Sequence, residues 1–270
     1  MIGTIEDAYN LYKEGYSLVK ISKLMKVNRT RITNLLKENY GIVPNLCNKK
    51  AINEYYFSEI NSPDSAYWLG FLMGDGYINS TTHNLELGFK IEDLPHLIKF
   101  TSAIKSEHKI STKEVRLKGN IVQSCRVSIH NKQLVDDLAS FGCGSTKTYT
   151  STIPKLPKHL ISHFIRGLLD ADGSLYTYLR PSGTKACVIS LTTASPIMVY
   201  KYSSILNKFL NIKPNFYVKR GTTCYNVVVS ANEDSYKLLN WVYSGSTKET
   251  RLDRKYNVYK HMIAELDRNI

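Results

Sequence analysis

The feature that most constrains this chain is a stretch that occurs twice. Tyr67-Trp68-Leu69-Gly70-Phe71-Leu72-Met73-Gly74-Asp75-Gly76 and Phe164-Ile165-Arg166-Gly167-Leu168-Leu169-Asp170-Ala171-Asp172-Gly173 are both apolar runs with small residues four apart that end in Asp-Gly. That spacing stacks Gly70 on Gly74, and Gly167 on Ala171, along one helix face, so two such helices can pack with their backbones almost touching. Asp75 and Asp172 would then lie side by side. A carboxylate is poorly placed at a helix C-terminus, where the macrodipole already brings negative charge, and the glycine after each is read as a left-handed stop. Two copies of so unfavourable an end point to a compensating cation, whereas one copy could be an ordinary core helix.

The sequence between and after these stretches repeats as well. From Ile78 to Lys90 the alternation predicts a hairpin, and Leu94 to Ser106 a helix. A second hairpin follows, with Val115, Leu117, Cys125, Val127 and Ile129 expected inward and Arg116, Lys118, Arg126 and Ser128 outward, then a helix from Lys132 to Phe141. The same order returns as a hairpin marked by Tyr176, Tyr178, Ile189 and Leu191, a helix at Met198 to Leu210, a hairpin at Phe216 to Lys219 and Tyr225 to Val229, and a helix at Glu233 to Tyr243. Even the exits match, Gly144-Ser145-Thr146-Lys147 against Gly245-Ser246-Thr247-Lys248, so chance similarity of the halves is improbable.

These residues resemble the signature helices of LAGLIDADG homing endonucleases. Arg166 to Gly173 is close to the consensus; the first copy has Met73 in place of the first acid but keeps the final Asp. The resemblance covers roughly residues 64 to 260 and implies an α+β fold of two pseudo-symmetric αββαββα halves that form a DNA-binding saddle, with the signature helices between them. It also implies that Asp75 and Asp172 supply the catalytic carboxylates, that Asp170 is not an essential ligand, and that Lys147 and Lys248 are the basic groups near each scissile phosphate. Arg251, Arg254 and Lys255 are alternatives for the second of these.

The first forty residues read as a separate helical module. Ile5, Ala8, Tyr9, Leu11 and Tyr12 form an amphipathic helix that Gly15 ends, Leu18 to Met25 a second, and Arg29 to Tyr40 a third stopped by Gly41. The pattern looks like a helix-turn-helix in residues 1–41, with Ile32, Leu35 and Leu36 inward and Arg29, Thr30, Arg31, Thr33 and Asn34 free to reach DNA. A three-helix protein-interaction module is the competing reading. Residues 42–63 read as a linker with a short helix near Ile52 to Phe57, followed by a first repeat at 64–157 and a second at 158–270.

Composition agrees with a polyanionic partner. The net charge is +13 and the pI about 9.4, which favours nucleic acid or a membrane surface. No apolar run is long enough to span a membrane and the N-terminus lacks a signal-peptide pattern, so double-stranded DNA is the expected partner. The expected setting is a prokaryotic or phage cytoplasm, or an organelle matrix, and not secretion. The five cysteines are scattered and read as buried thiols in a reducing compartment, and His159 with His163 lacks further nearby ligands for a metal.

Hydrolysis of a phosphodiester needs an activated water and neutralisation of charge on the phosphate, which divalent metals held by carboxylates supply. Mg²⁺ takes few protein ligands, so Asp75 and Asp172 with the carbonyls of Gly74 and Ala171 are the expected set. Mn²⁺ is expected to substitute, and Ca²⁺ to bind without supporting cleavage. Outward strand residues would read the major groove. The candidates are Asn79, Thr81, His83, Glu86 and Lys90 with Arg116, Lys118 and Arg126 in one half, and Tyr176, Tyr178, Arg180, Ser190, Thr192 and Lys219 in the other. Because the halves present different residues, an asymmetric target and a monomeric enzyme are expected. A non-cleaving DNA-binding regulator and an RNA-splicing maturase are the alternatives on the same fold; paired acids facing a polyanion argue against the former.

Overall fold

The structure, a computed structural model, describes residues 4–42, 50–117, 120–144 and 147–267, and leaves the side chains of 117, 120, 147 and 148 undescribed. The chain divides into two compact units, Met1–Lys50 and Ala51–Ile270.

The first unit contains three helices, α1 (Ile5–Lys13), α2 (Leu18–Met25) and α3 (Arg29–Tyr40). Thr4 caps α1 in a reciprocal box with Asp7, Ser17 caps α2 and Asn28 caps α3, each satisfying a backbone N–H at a helix start. Ala8, Leu18, Ile21, Ile32 and Leu36 form its core. Leu35, expected inward, is half-exposed and lines an open groove with Thr30, Arg31 and Asn34. A 3.6-residue period places Leu35 on the margin of the buried stripe set by Ile32 and Leu36.

The second unit repeats one topology. Helix α4 (Pro63–Asp75) leads into β1 (Tyr77–Asn79) and β2 (Asn84–Lys90), then α5 (Leu94–Ala103), β3 (Ser111–Leu117), β4 (Asn120–His130) and α6 (Lys132–Ser140), with a single helical turn, α7 (Lys147–Thr150), at the exit. Its second half runs α8 (Ile161–Asp172), β5 (Gly173–Leu179), β6 (Lys185–Thr193), α9 (Pro196–Leu210), β7 (Asn215–Val218), β8 (Tyr225–Val229), α10 (Asn232–Tyr243) and α11 (Asp253–Asp267). Both sheets are antiparallel and four-stranded, in the orders β1-β2-β4-β3 and β5-β6-β8-β7. This is the α+β double repeat expected from the sequence. Leu85, Leu87, Val127 and Ile129 on one sheet, and Ile189, Leu191, Val227 and Val229 on the other, turn toward a core shared with α4 and α8, which leaves the opposite face of each sheet open.

Three expectations need correction. Residues 52–57 are not helical but form turns, and Phe57 and Ile60 are buried in the core of the second unit. Ala51 and Asn53 tie this stretch to Glu107 and Ile104 by backbone hydrogen bonds, so it is part of the first half. Second, Val115 pairs with Val122, Arg116 with Ile121 and Ser111 with Arg126. Directly paired side chains share a face, so Arg116 lies on the side of Cys125, opposite Arg126, while Val115 faces outward. Third, Gly76 and Gly173 are extended, at φ −71° and −84°, and not left-handed. They are glycines because a Cβ would come within 2.7 Å of the Leu72 carbonyl oxygen and 2.5 Å of that of Leu169.

Candidate active site

Helices α4 and α8 meet backbone to backbone. A Cβ on Gly70 would sit 2.0 Å from the Phe164 carbonyl oxygen, and one on Gly167 would sit 2.0 Å from that of Tyr67. Nothing larger than glycine fits either crossing point. Further along, a Cβ on Gly74 would meet the Ala171 Cβ at 2.5 Å and the Asp172 Oδ2 at 3.0 Å. The helices run in parallel, and Asp75 and Asp172 are brought together at their shared C-terminal end.

That end contains a cation the sequence only hinted at. The Lys255 ammonium, on the first turn of α11, donates to the carbonyls of Leu169 (2.7 Å), Ala171 (3.3 Å) and Gly173 (2.6 Å). Lysine at a helix C-terminus complements the macrodipole, and here it satisfies carbonyls left without intrahelical donors. Burial lowers its pKa to about 8, against the opposing pull of Asp170, Asp75 and Asp172, so it carries its proton at neutral pH. Ala171, expected to offer its carbonyl to a metal, already shares that oxygen with Lys255. Lys248 is exposed in the loop before α11, and its neighbour Glu249 is close enough to Asp64 to add to the effect of burial in raising that carboxyl. Asp64 begins α4, roughly 16 Å along the helix from Asp75. Lys248 is therefore not brought to the acids. Lys147 starts α7, and its side chain lies outside the described residues.

The acid absent from the first half proves to be internal. Asp170 is fully buried and accepts from the Tyr243 hydroxyl (2.6 Å), the Tyr67 hydroxyl (2.9 Å) and the Leu252 N–H (2.8 Å). Burial raises its pKa, and these three donors oppose the rise. Because the one Tyr67 proton goes to Asp170, His96 must donate Nε2–H to the Tyr67 oxygen, 3.1 Å away. Burial lowers the His96 pKa to about 3, so the ring is neutral. Met73, at the corresponding place in α4, packs its sulfur 3.8 Å from the Cys143 thiol. Arg166 is fully buried too and donates to the carbonyls of Thr250 and Val242, each at 2.7 Å. Together Asp170 and Arg166 fix residues 250–252, from which Lys255 is positioned. Arg254 to Asp93 (3.0 Å) and Lys99 to Asp253 (2.7 Å) tie this segment back to the first half. Sequence reading missed Asp170, Arg166 and His96 as a network because their partners are distant in the chain.

Two carboxylates, a glycine that lets one of them approach α4 closely, and hard carbonyl oxygens suit Mg²⁺, which needs few protein ligands. Among the described residues no group of three or more His, Cys, Asp or Glu is placed to hold a metal ion.

The open faces carry the remaining candidates. On the first sheet Lys90, Ser124 and Lys113 form one row, and Gly88, Arg126 and Ser111 the next. Arg126 donates to Glu86 at 2.9 Å. Lys90, Lys113, Ser124 and Arg126 line a shallow groove of about 270 Å³. Asn79 spends its side-chain oxygen on the N–H groups of Thr81 and Thr82, both at 3.0 Å, shaping the β1–β2 turn. His83, at φ 49°, points its Nδ1 toward Asp136, 3.9 Å away. On the second sheet Tyr176 and Tyr178 are exposed on the open face and Thr192 is half-buried there, whereas Ser190, expected to reach DNA, is buried between its neighbours on β5 and β8. Arg180 is held in the turn by the Ser230 carbonyl (2.9 Å), and Lys219 is exposed just past β7. Lys118 lies outside the described residues. In the first unit Arg29, Thr30, Arg31 and Asn34 are exposed on α3, while the Thr33 hydroxyl donates back to the Arg29 carbonyl.

Paired glycine-packed helices, twin sheets and two acids at one helix end define a two-repeat LAGLIDADG architecture. Residues 160–241 match the LAGLIDADG-like domain family. No curated protein matches the sequence. Among solved structures the fold is similar to the homing endonuclease I-WcaI bound to its DNA recognition sequence, at 16% identity and a TM-score of 0.54 over 82% of this chain and 96% of that one. It is also similar to meganuclease I-SmaMI bound to uncleaveable DNA, at 12% identity and 0.52 over 77% and 92%. A double lysine-to-alanine mutant of I-SmaMI matches at 12% and 0.51 over 78% and 93%. At such identities these likenesses establish the fold of this chain, and no relation of residues.

Proposed function

We propose that this protein is a single-chain, divalent-metal-dependent, site-specific endonuclease that cuts both strands of double-stranded DNA. The observation that supports this most is the meeting of Asp75 and Asp172, one from each half, at the shared end of α4 and α8 beside the Lys255 ammonium. A regulator that only bound DNA would be weakened by two carboxylates facing phosphate. The similar structures that contain DNA are those of homing endonucleases, which adds support for DNA over RNA as substrate.

Asp75 and Asp172, with the Gly74 carbonyl and the part of the Ala171 carbonyl not engaged by Lys255, would hold Mg²⁺. A metal held there polarises the phosphoryl oxygen and activates the attacking water. Lys255 keeps the C-terminal turn of α8 closed and adds positive charge where negative charge grows in the transition state. Lys147, in the first half, is proposed for the corresponding duty. The open faces of the two sheets would bind the duplex, and the exposed face of α3 would add contacts on a flank. The chain would act as a monomer, since both halves lie in one polypeptide.

Cleavage of a randomised duplex library with Mg²⁺, and binding of the same library with Ca²⁺, tests the proposal. Asp75→Asn and Asp172→Asn are each expected to reduce double-strand cleavage strongly while binding survives or tightens. Full double-strand cutting by either variant would remove both carboxylates from the chemistry.

A further inference from the structure

The two open faces differ in charge. That of the first sheet presents Lys90, Lys113 and Arg126, the last held in place by Glu86, beside a smaller apolar part made of Tyr77 and the Val115–Val122 pair. That of the second sheet presents no charged side chain from any of its four strands. Three tyrosines dominate it, with Tyr176 and Tyr178 each 47% exposed and Tyr217 53%. Tyr176 pairs with Val188, which is buried, and half-buried Val228 lies between Ser190 and Asn215, so the rings and Val228 supply the apolar surface of this face. Asn226 is held in a fixed orientation. Its Oδ1 accepts from the Thr192 hydroxyl (2.9 Å) and its Nδ2 donates to the Tyr217 hydroxyl (3.0 Å).

In the major groove the C5-methyl of thymine is the one apolar group, and aromatic and aliphatic side chains recognise it by contact. Lysine and arginine suit guanine O6 and N7, and phosphates, instead. We infer that the DNA target is divided by chemistry: thymine-rich and read by apolar contact under the second sheet, guanine-bearing and more salt-sensitive under the first. This rests on the DNA-cutting function proposed above and names the substrate of each half.

The full chain is used to select duplexes from a randomised library in Ca²⁺, and the enriched site is resynthesised with uracil, which lacks the methyl, replacing thymine in one half at a time. Thymine is expected to be over-represented in one half, where each methyl in contact, once removed, costs roughly fourfold in affinity. The same replacement in the other half is expected to cost less, and an equal cost in both halves overturns the inference. Tyr176→Ala and Tyr178→Ala, both at exposed positions where folding tolerates change, are expected to abolish discrimination of thymine from uracil. Lys90→Ala combined with Lys113→Ala is expected to leave that discrimination intact and to make the slope of log affinity against log salt shallower by about two. An enriched site indifferent to uracil in both halves overturns the inference alone, as does unchanged discrimination in the tyrosine variants. Failure to enrich any sequence overturns the DNA function itself, and this inference with it.

Discussion

A neutral histidine among rings forms one end of the chain of hydrogen bonds that joins the two halves. His96 donates to Tyr67, which donates to Asp170, and Trp68, Phe71 and Phe89 surround the imidazole. Its folded pKa of about 3 lies below the value of 6.5 usual for the unfolded chain. Between those values the unfolded state binds the extra proton, so the stabilisation present above pH 6.5 is lost as the pH falls toward 3. From pH 7 to pH 5 the loss amounts to roughly 2 kcal/mol. Asp170, raised by burial, has the opposite slope, so wild type and His96→Gln must be compared at each pH by thermal unfolding. The variant is expected to lose less stability than wild type on acidification; parallel losses would show that His96 takes up its proton in the folded protein. Lys255 admits a second test at this scale. Lys255→Met leaves the carbonyls of Leu169, Ala171 and Gly173 without their donor. Strand-resolved gels should show unequal slowing of the two cuts and accumulation of nicked duplex, whereas wild-type rates on both strands would leave Lys255 a purely structural cap.

At the scale of elements, the pairing of α4 with α8 carries the most weight. A methyl at Gly70 or Gly167 would overlap carbonyl oxygens of the partner helix at 2.0 Å, and backbone cannot rotate away as a side chain does. Gly70→Ala and Gly167→Ala are each expected to cost about 3 kcal/mol or more in urea unfolding, beyond the helix-propensity gain of alanine. A change within 0.5 kcal/mol of zero in either variant, the range usual for surface positions, would mean that the helices are farther apart than described. This pairing was legible in the sequence because four-residue spacing of small residues is a local signal, and the repeated hairpins were legible because period two is as well. The faces of β3 were not. Val115 looked inward by hydrophobicity, but register is set by pairing with β4, which puts Val122 opposite it on the open side. Lys255 could be named only as one of three basic candidates, since its three carbonyl partners come from a helix far upstream. Gly76 and Gly173 were correctly marked as special, but for the wrong reason: close approach to the previous turn, and not positive φ, excludes a side chain.

At the scale of the whole molecule, the two units have separate hydrophobic cores, one around Ile21, Ile32 and Leu36 and one around α4 and α8. Both acids and Lys255 belong to the second. Removal of residues 1–41 is therefore expected to leave cleavage chemistry intact when protein is in excess, while binding weakens and the footprint shortens on one side. Arg29 and Arg31 are exposed at the start of α3, and each phosphate contact that releases a counterion adds a slope near −0.9 to log affinity against log salt. The truncated protein should thus show a slope shallower by roughly two. Titration of both proteins against one duplex over a range of salt checks this directly. A footprint and slope equal to those of the full chain would mean that α3 never meets the DNA backbone, and would assign the three-helix unit to a protein partner instead.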